Sequence, residues 1–275
     1  MNDTFLDISM ALLALLIIHI GLGRQAYMDV RRQAALLFNT GSSPIRVNIE
    51  PRGLFGFEVN ALYSISIETS HVALNRPPFY LYPKSGWKGS IRHLFVRLRD
   101  VTVSGYPVRE FTADIPSLTY DLGYAYYQGR LVVRDAGRGA GEIVLSSADL
   151  HDFIAKKYQG LFSNFSVAIL PHGDIRLSGE LNFLGEQLPV DIQAKLIIMT
   201  PTSVGLTAAE VRLNGRPLDV PQTVLLLSRI NPVVDLNSDL GIGDFFMIEQ
   251  LQYKRDMLIV RGDCQLPTAS ASQHP

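Results

Sequence analysis

A few clusters in this 275-residue chain combine residue types and spacings that could do chemistry. Gly21-Leu22-Gly23-Arg24-Gln25-Ala26 fits G-x-G-x-x-A, the pattern with which a strand-to-helix turn brings backbone N–H groups against a pyrophosphate. The apolar run before it is too long for a first strand, and no alternation of strand and helix follows, so a dinucleotide site is not expected. Asp235, Asn237 and Asp239 open like a calcium loop, but Leu240 stands where Gly is needed and Phe246 where a bidentate Glu is needed. Asx turns in a helix-exit loop explain that spacing better. The six His residues show no metal-ligand spacing. Cys264 shares the apolar parity of Val260 and Leu266 and reads as a packed thiol. No G-x-S-x-G, S-x-x-K or P-loop motif occurs. The chain is therefore expected not to be an enzyme, to hold no metal and to need no cofactor.

What remains is apolar surface and its periodicity. Ile175, Leu177, Leu181 and Phe183 alternate with Arg176, Ser178, Glu180 and Asn182; after a turn at Gly185, Leu188, Val190, Ile192, Ala194 and Leu196 alternate with polar residues. A period of two marks a strand with one apolar and one wet face. The pattern recurs at Ile45–Glu50, Ile91–Val103, Val108–Leu118 and Leu258–Leu266. It predicts a large antiparallel sheet buried on one side. Short strands and loops are expected over 51–90, where Pro77-Pro78 and Pro83 act as breakers. In the strand Val204–Leu213 the parity slips between Ala208 and Val211, which predicts a β-bulge.

Two helices could cover the apolar face. Ser146 and Asp149 form a capping pattern ahead of Leu150, Phe153, Ile154, Tyr158, Leu161 and Phe162, spaced to give one apolar face. Thr223–Asn231 is nearly all aliphatic and stops at Pro232. Strands and helices that do not alternate make the fold class α+β, a large curved sheet wrapped on amphipathic helices. The two helices and the sheet either form a plain core or line a hydrophobic groove.

Composition bounds the partners. The chain is 47% hydrophobic and 19% charged, with a net charge of -1, which argues against a nucleic-acid partner. Residues 1–140 carry 15 Lys/Arg against 11 Asp/Glu, and residues 141–275 carry 10 against 15. Ile8–Leu22 is apolar apart from Ser9 and His19; with Arg24, Arg31 and Arg32 behind it and no clean cleavage site, it reads as an N-terminal membrane anchor within residues 1–38. The polar tail 268–275 is expected to be disordered.

Residues Glu142–Pro267 resemble the LmeA-like family of bacterial phospholipid-binding proteins. The resemblance is carried by Ile143-Val144-Leu145-Ser146-Ser147-Ala148-Asp149-Leu150, Pro171-His172-Gly173-Asp174, Leu213-Asn214-Gly215-Arg216-Pro217-Leu218 and the closing hairpin. Ile45–Leu118 looks like a weaker first part of the same domain, so the domain is placed at 45–267. The resemblance implies a TULIP-like, strongly curved sheet with an apolar cavity, a phospholipid or other acyl-lipid partner, and a place at the membrane in the cell envelope, at the inner membrane or in the periplasm. It supplies no catalytic residue. The groove residues expected to touch lipid are Phe153, Ile154, Tyr158, Leu181, Phe183, Ile192, Leu225, Leu226 and Ile230. A scaffold protein with a self-filled core and an enzyme acting on lipid-linked substrates are the competing expectations.

Overall fold

The computed structural model describes residues 45–51, 61–74, 79–82, 86–128, 131–170, 173–183 and 186–269. The expected anchor Ile8–Leu22 and the G-x-G-x-x-A stretch lie outside these residues. The described part is 64% β-structure, with few helices.

In chain order the elements are β1 (Arg46–Pro51), β2 (Ala61–Ser70), β3 (Ala73–Leu74), β4 (Lys88–Val103), β5 (Tyr106–Asp121), α1 (Leu122–Gln128), β6 (Val133–Asp135), β7 (Gly139–Ser146) and α2 (Ser147–Lys157). There follow β8 (Phe162–Ile169), β9 (Asp174–Phe183), β10 (Glu186–Thr200), β11 (Ser203–Leu213), β12 (Arg216–Pro217), α3 (Val220–Ile230), β13 (Val234–Asp235), β14 (Phe246–Lys254) and β15 (Met257–Cys264).

These strands form two sheets rather than the single one expected. A larger sheet runs β1-β2-β4-β5-β7-β15-β14 and curls into a half-barrel; a smaller one runs β12-β11-β10-β9-β8. The larger sheet is not wholly antiparallel, because β2 and β3 pair with β4 in parallel. β4 therefore runs alongside β2 in the same direction and is not its hairpin partner.

Parity holds where it was read. Leu177, Val190, Ile192, Ala194 and Leu196 are buried, and Gln193 and Lys195 are exposed. In the smaller sheet Ile192 stands opposite Leu177 on one side and Val211 on the other. The bulge in β11 is present: the register shifts between Gln193↔Glu210 and Lys195↔Thr207. The β4–β5 hairpin shows a second device. Its register is constant from Lys88↔Asp121 to Val103↔Tyr106, but pairing lapses at Arg92/Ser117 and at Asp100/Arg109. Ser117 and Asp100 take positive φ there, at 55° and 48°. The buried positions switch parity in step, from Ile91 to Leu94 and from Leu98 to Val101 on β4. Both strands thus turn together, and the apolar side chains stay inside as the sheet curls.

The capping box of α2 is built as the sequence predicts: the Asp149 N–H donates to Ser146 Oγ at 3.2 Å, and the Ser146 N–H donates to Asp149 Oδ2 at 2.8 Å. The helix is shorter than its apolar pattern, with Tyr158 as C-cap and Phe162 already in β8. Gly160 at φ 86° ends the turn, where a side chain would be strained. Helix α3 starts earlier than expected, at an Asp219 cap whose side chain accepts from the Gln222 N–H at 2.8 Å. It crosses from β12 to β13 along the free edge of β11. There Asn231 bonds both backbone groups of Leu206: its Oδ1 accepts the N–H at 2.7 Å and its Nδ2 donates to the carbonyl at 2.8 Å. The first tail residues are paired rather than free, with Thr268 bridging Leu81 and the Ala269 N–H donating to the Leu81 carbonyl at 2.9 Å.

Candidate functional site

The inner faces of the two sheets share one hydrophobic core, and α2 contacts both, packing on β5 and β7 of the larger and β8 of the smaller. A seam runs between the sheets where β10 meets β14. It is spanned by the Ile248 N–H donating to the Pro201 carbonyl at 2.6 Å and by Tyr253 Oη donating to the Leu196 carbonyl at 3.3 Å. Burial raises the pKa of that Tyr253 phenol, with the Asp174 carboxylate adding to the shift. At the seam lies an apolar void of about 30 Å³. Its walls include Leu145, Leu150, Phe153, Leu196, Ile248 and Val260, all apolar. Ligand pockets usually measure about 300–1,000 Å³, so this void as it stands is too small to hold an acyl lipid.

The nine residues expected to touch lipid separate into distinct places. Phe153 is buried, lines the void and packs against the Tyr106 ring with centroids 4.2 Å apart. Ile154, Leu181, Ile192 and Ile230 are buried in the common core. Leu226 is half-buried against it. Phe183 ends β9, opposite Glu186. Tyr158 does not face an open groove. Its hydroxyl donates to the carbonyls of Ile230 and Pro232, and desolvation raises its pKa well above the ordinary phenol value. Leu225 departs from the expected groove: it is 64% exposed, on the outward side of α3. The two helices do not form opposite walls of a groove. They meet at their C-terminal ends through Tyr158 and through Lys157, whose Nζ donates to the Pro232 carbonyl at 2.8 Å. The reason is the crossover path of α3, which spends its inward side on the β11 edge.

Wall residues missed by the sequence reading, among them Leu145 and Leu150, sit on the buried parity of β7 and the first turn of α2. The alternation Ile143, Leu145 was the available signal, but nothing local says that it faces the smaller sheet.

The chemistry-bearing residues have structural partners. Asp235 Oδ1 accepts the N–H groups of Asn237 at 2.8 Å and Ser238 at 3.1 Å, the expected Asx turns. Asp239 accepts from Lys157 Nζ at 2.6 Å and from the Asp235 N–H at 2.8 Å, so a lysine occupies the place a cation would take. Cys264 is fully buried, and burial pushes its thiol up to about 12. Among the described residues no three His, Cys, Asp or Glu side chains gather as a metal site. No helix among them is long and apolar enough to cross a membrane.

A wider open hollow, about 820 Å³, lies on the wet face of the larger sheet. It is lined by paired charges such as Arg97–Glu110 and Arg261–Glu142, with Phe95 as its exposed aromatic.

No curated protein and no solved structure matches this chain. A family model described as LmeA-like phospholipid-binding matches residues 87–263, from just before β4 to the end of β15, and so takes in both walls of the seam. The chain belongs to the LmeA-like phospholipid-binding family.

Proposed function

We propose that this protein binds phospholipid by taking acyl chains into the seam between its two sheets, and that it works at a bacterial envelope membrane to which Ile8–Leu22 tethers it. The observation that carries this reading is a seam walled wholly by apolar side chains in a member of a phospholipid-binding family. Each methylene taken from water gains about 0.8 kcal/mol, so chain length is read loosely and the head group stays near water. The void is small, so loading sets acyl methylenes where side-chain contacts of similar energy now lie. The role is binding, not turnover. The test is solvent extraction and mass spectrometry of protein purified from residue 41 onward, with a liposome transfer assay beside it. Co-purifying phospholipid or transfer supports the proposal; neither overturns it. A second reading, an envelope scaffold with a self-filled core, is favoured by the small void, and that negative result is what it expects.

A further inference from the structure

The outward side of α3 is apolar where a surface helix is ordinarily polar. Val220, Val224 and Leu225 are 76%, 60% and 64% exposed. With Pro221 and Ser228 they make a continuous uncharged arc, while Leu227 and Ile230 on the opposite side are buried. Met199, 48% exposed, lies with Asn231 over Gly205 and continues the apolar surface at the C-terminal end of the helix. Arg216 just before the helix and Arg229 in its last turn are exposed, and neither has a carboxylate partner among the described residues. Aliphatic side chains flanked by unpaired arginines fit the boundary of an anionic bilayer, where acyl chains lie beneath phosphate groups.

We infer that the Val220–Val224–Leu225 face of α3 is the surface that docks on an anionic phospholipid membrane, with Arg216 and Arg229 against the head groups. This deepens, and rests on, the phospholipid-binding reading.

The chain supplies its own control. Its single tryptophan, Trp87, is 69% exposed. It precedes β4, at the end of the β4–β5 hairpin remote from the Ser104–Gly105 turn. Helix α3 ends near that turn, because Lys157 reaches Pro232 while Lys156 sits 4.4 Å from the Tyr106 ring centroid. The sixteen residues of β4 place Trp87 about 50 Å away along the hairpin.

The experiment uses the full chain with vesicles of phosphatidylglycerol and phosphatidylcholine carrying brominated acyl chains. Emission is read from the native protein and from a Trp87→Phe, Leu225→Trp variant. The expected result is a blue shift and bromine quenching of the tryptophan at 225 and neither at Trp87, with the effect weakened by salt and by omission of phosphatidylglycerol. Val224→Glu with Leu225→Glu should lower vesicle partitioning about tenfold or more. Vesicle-bound protein with an unshifted tryptophan at 225 overturns the inference, since another segment, such as Ile8–Leu22, then makes the contact. Quenching of Trp87 instead, absence of vesicle binding, or a concentration-dependent shift without vesicles that marks self-association also overturns it. Lipid extraction is a separate readout, so failure of docking and failure of lipid binding are told apart.

Discussion

Lys157 and Asp239 form an ion pair of 2.6 Å with 17% and 11% of their side chains exposed, and it ties the end of α2 to the loop that follows α3. Asp239 also accepts the Asp235 N–H, so its carboxylate organises the loop from both sides. Lys157→Met strands that carboxylate in a mostly buried place. The expected loss of stability is about 2–4 kcal/mol, read as a lower denaturant midpoint. Asp239→Asn keeps an acceptor for Asp235 and should cost less. The double Lys157→Met, Asp239→Asn variant, which removes both charges, should cost less than the sum of the two single losses; strict additivity would show that the pair itself contributes nothing.

Ile192 and Gln193 are neighbours on opposite faces of β10, one fully buried and one exposed. Ile192→Asp should unfold the domain or remove lipid uptake, because an unpaired buried carboxylate costs several kcal/mol. Gln193→Asp should change thermal stability by about 0.5 kcal/mol or less. Comparable damage from both would contradict a wet outer face on the smaller sheet.

Cys264 gives a pH signature. Burial raises its thiol from the ordinary 9.0 to about 12, so the folded chain holds a proton that the unfolded chain gives up. The associated stability is complete below pH 9 and drains away as the pH rises towards 12. Cys264→Ala should flatten that part of the alkaline stability profile relative to the native chain. At pH 8 a maleimide should label the native protein only after denaturant opens it.

The strand parities and the cap of α2 were legible in the sequence because each is fixed by neighbours within a few residues. Ser146–Asp149 and the alternation of Leu188–Leu196 are of this kind. The division into two sheets was not legible, since nothing in Ile143–Ser146 or Leu188–Leu196 says which strand faces which across the core. The parity switches at Asp100 and Ser117 were hidden because neither is a glycine, so their positive φ leaves no compositional mark. A helix that is aliphatic on nearly every side does not reveal its inward face, and Leu225, named beside the buried Ile230, is exposed.

Ile8–Leu22 should be retained and should hold the protein at a membrane. Fifteen residues reach about 22 Å as a helix, less than a hydrocarbon core of about 30 Å, so flanking residues such as Phe5 and Tyr27 or a thinned bilayer must complete a span. Membrane fractionation and N-terminal sequencing decide this. A soluble product beginning near residue 25 would show a cleaved signal peptide, and a soluble product with Met1 would show that the run is no anchor.

The side chain of Asn231 meets Leu206 as a neighbouring peptide group would, offering one acceptor and one donor. It closes a gap on β11 between the stretch paired with β12 and the stretch paired with β13. The amide thereby blunts part of a free strand edge. It denies the sheet a template on which a second molecule could add a strand, and a chain that lost it would cross into aggregation as its concentration rose, while each copy kept its native shape.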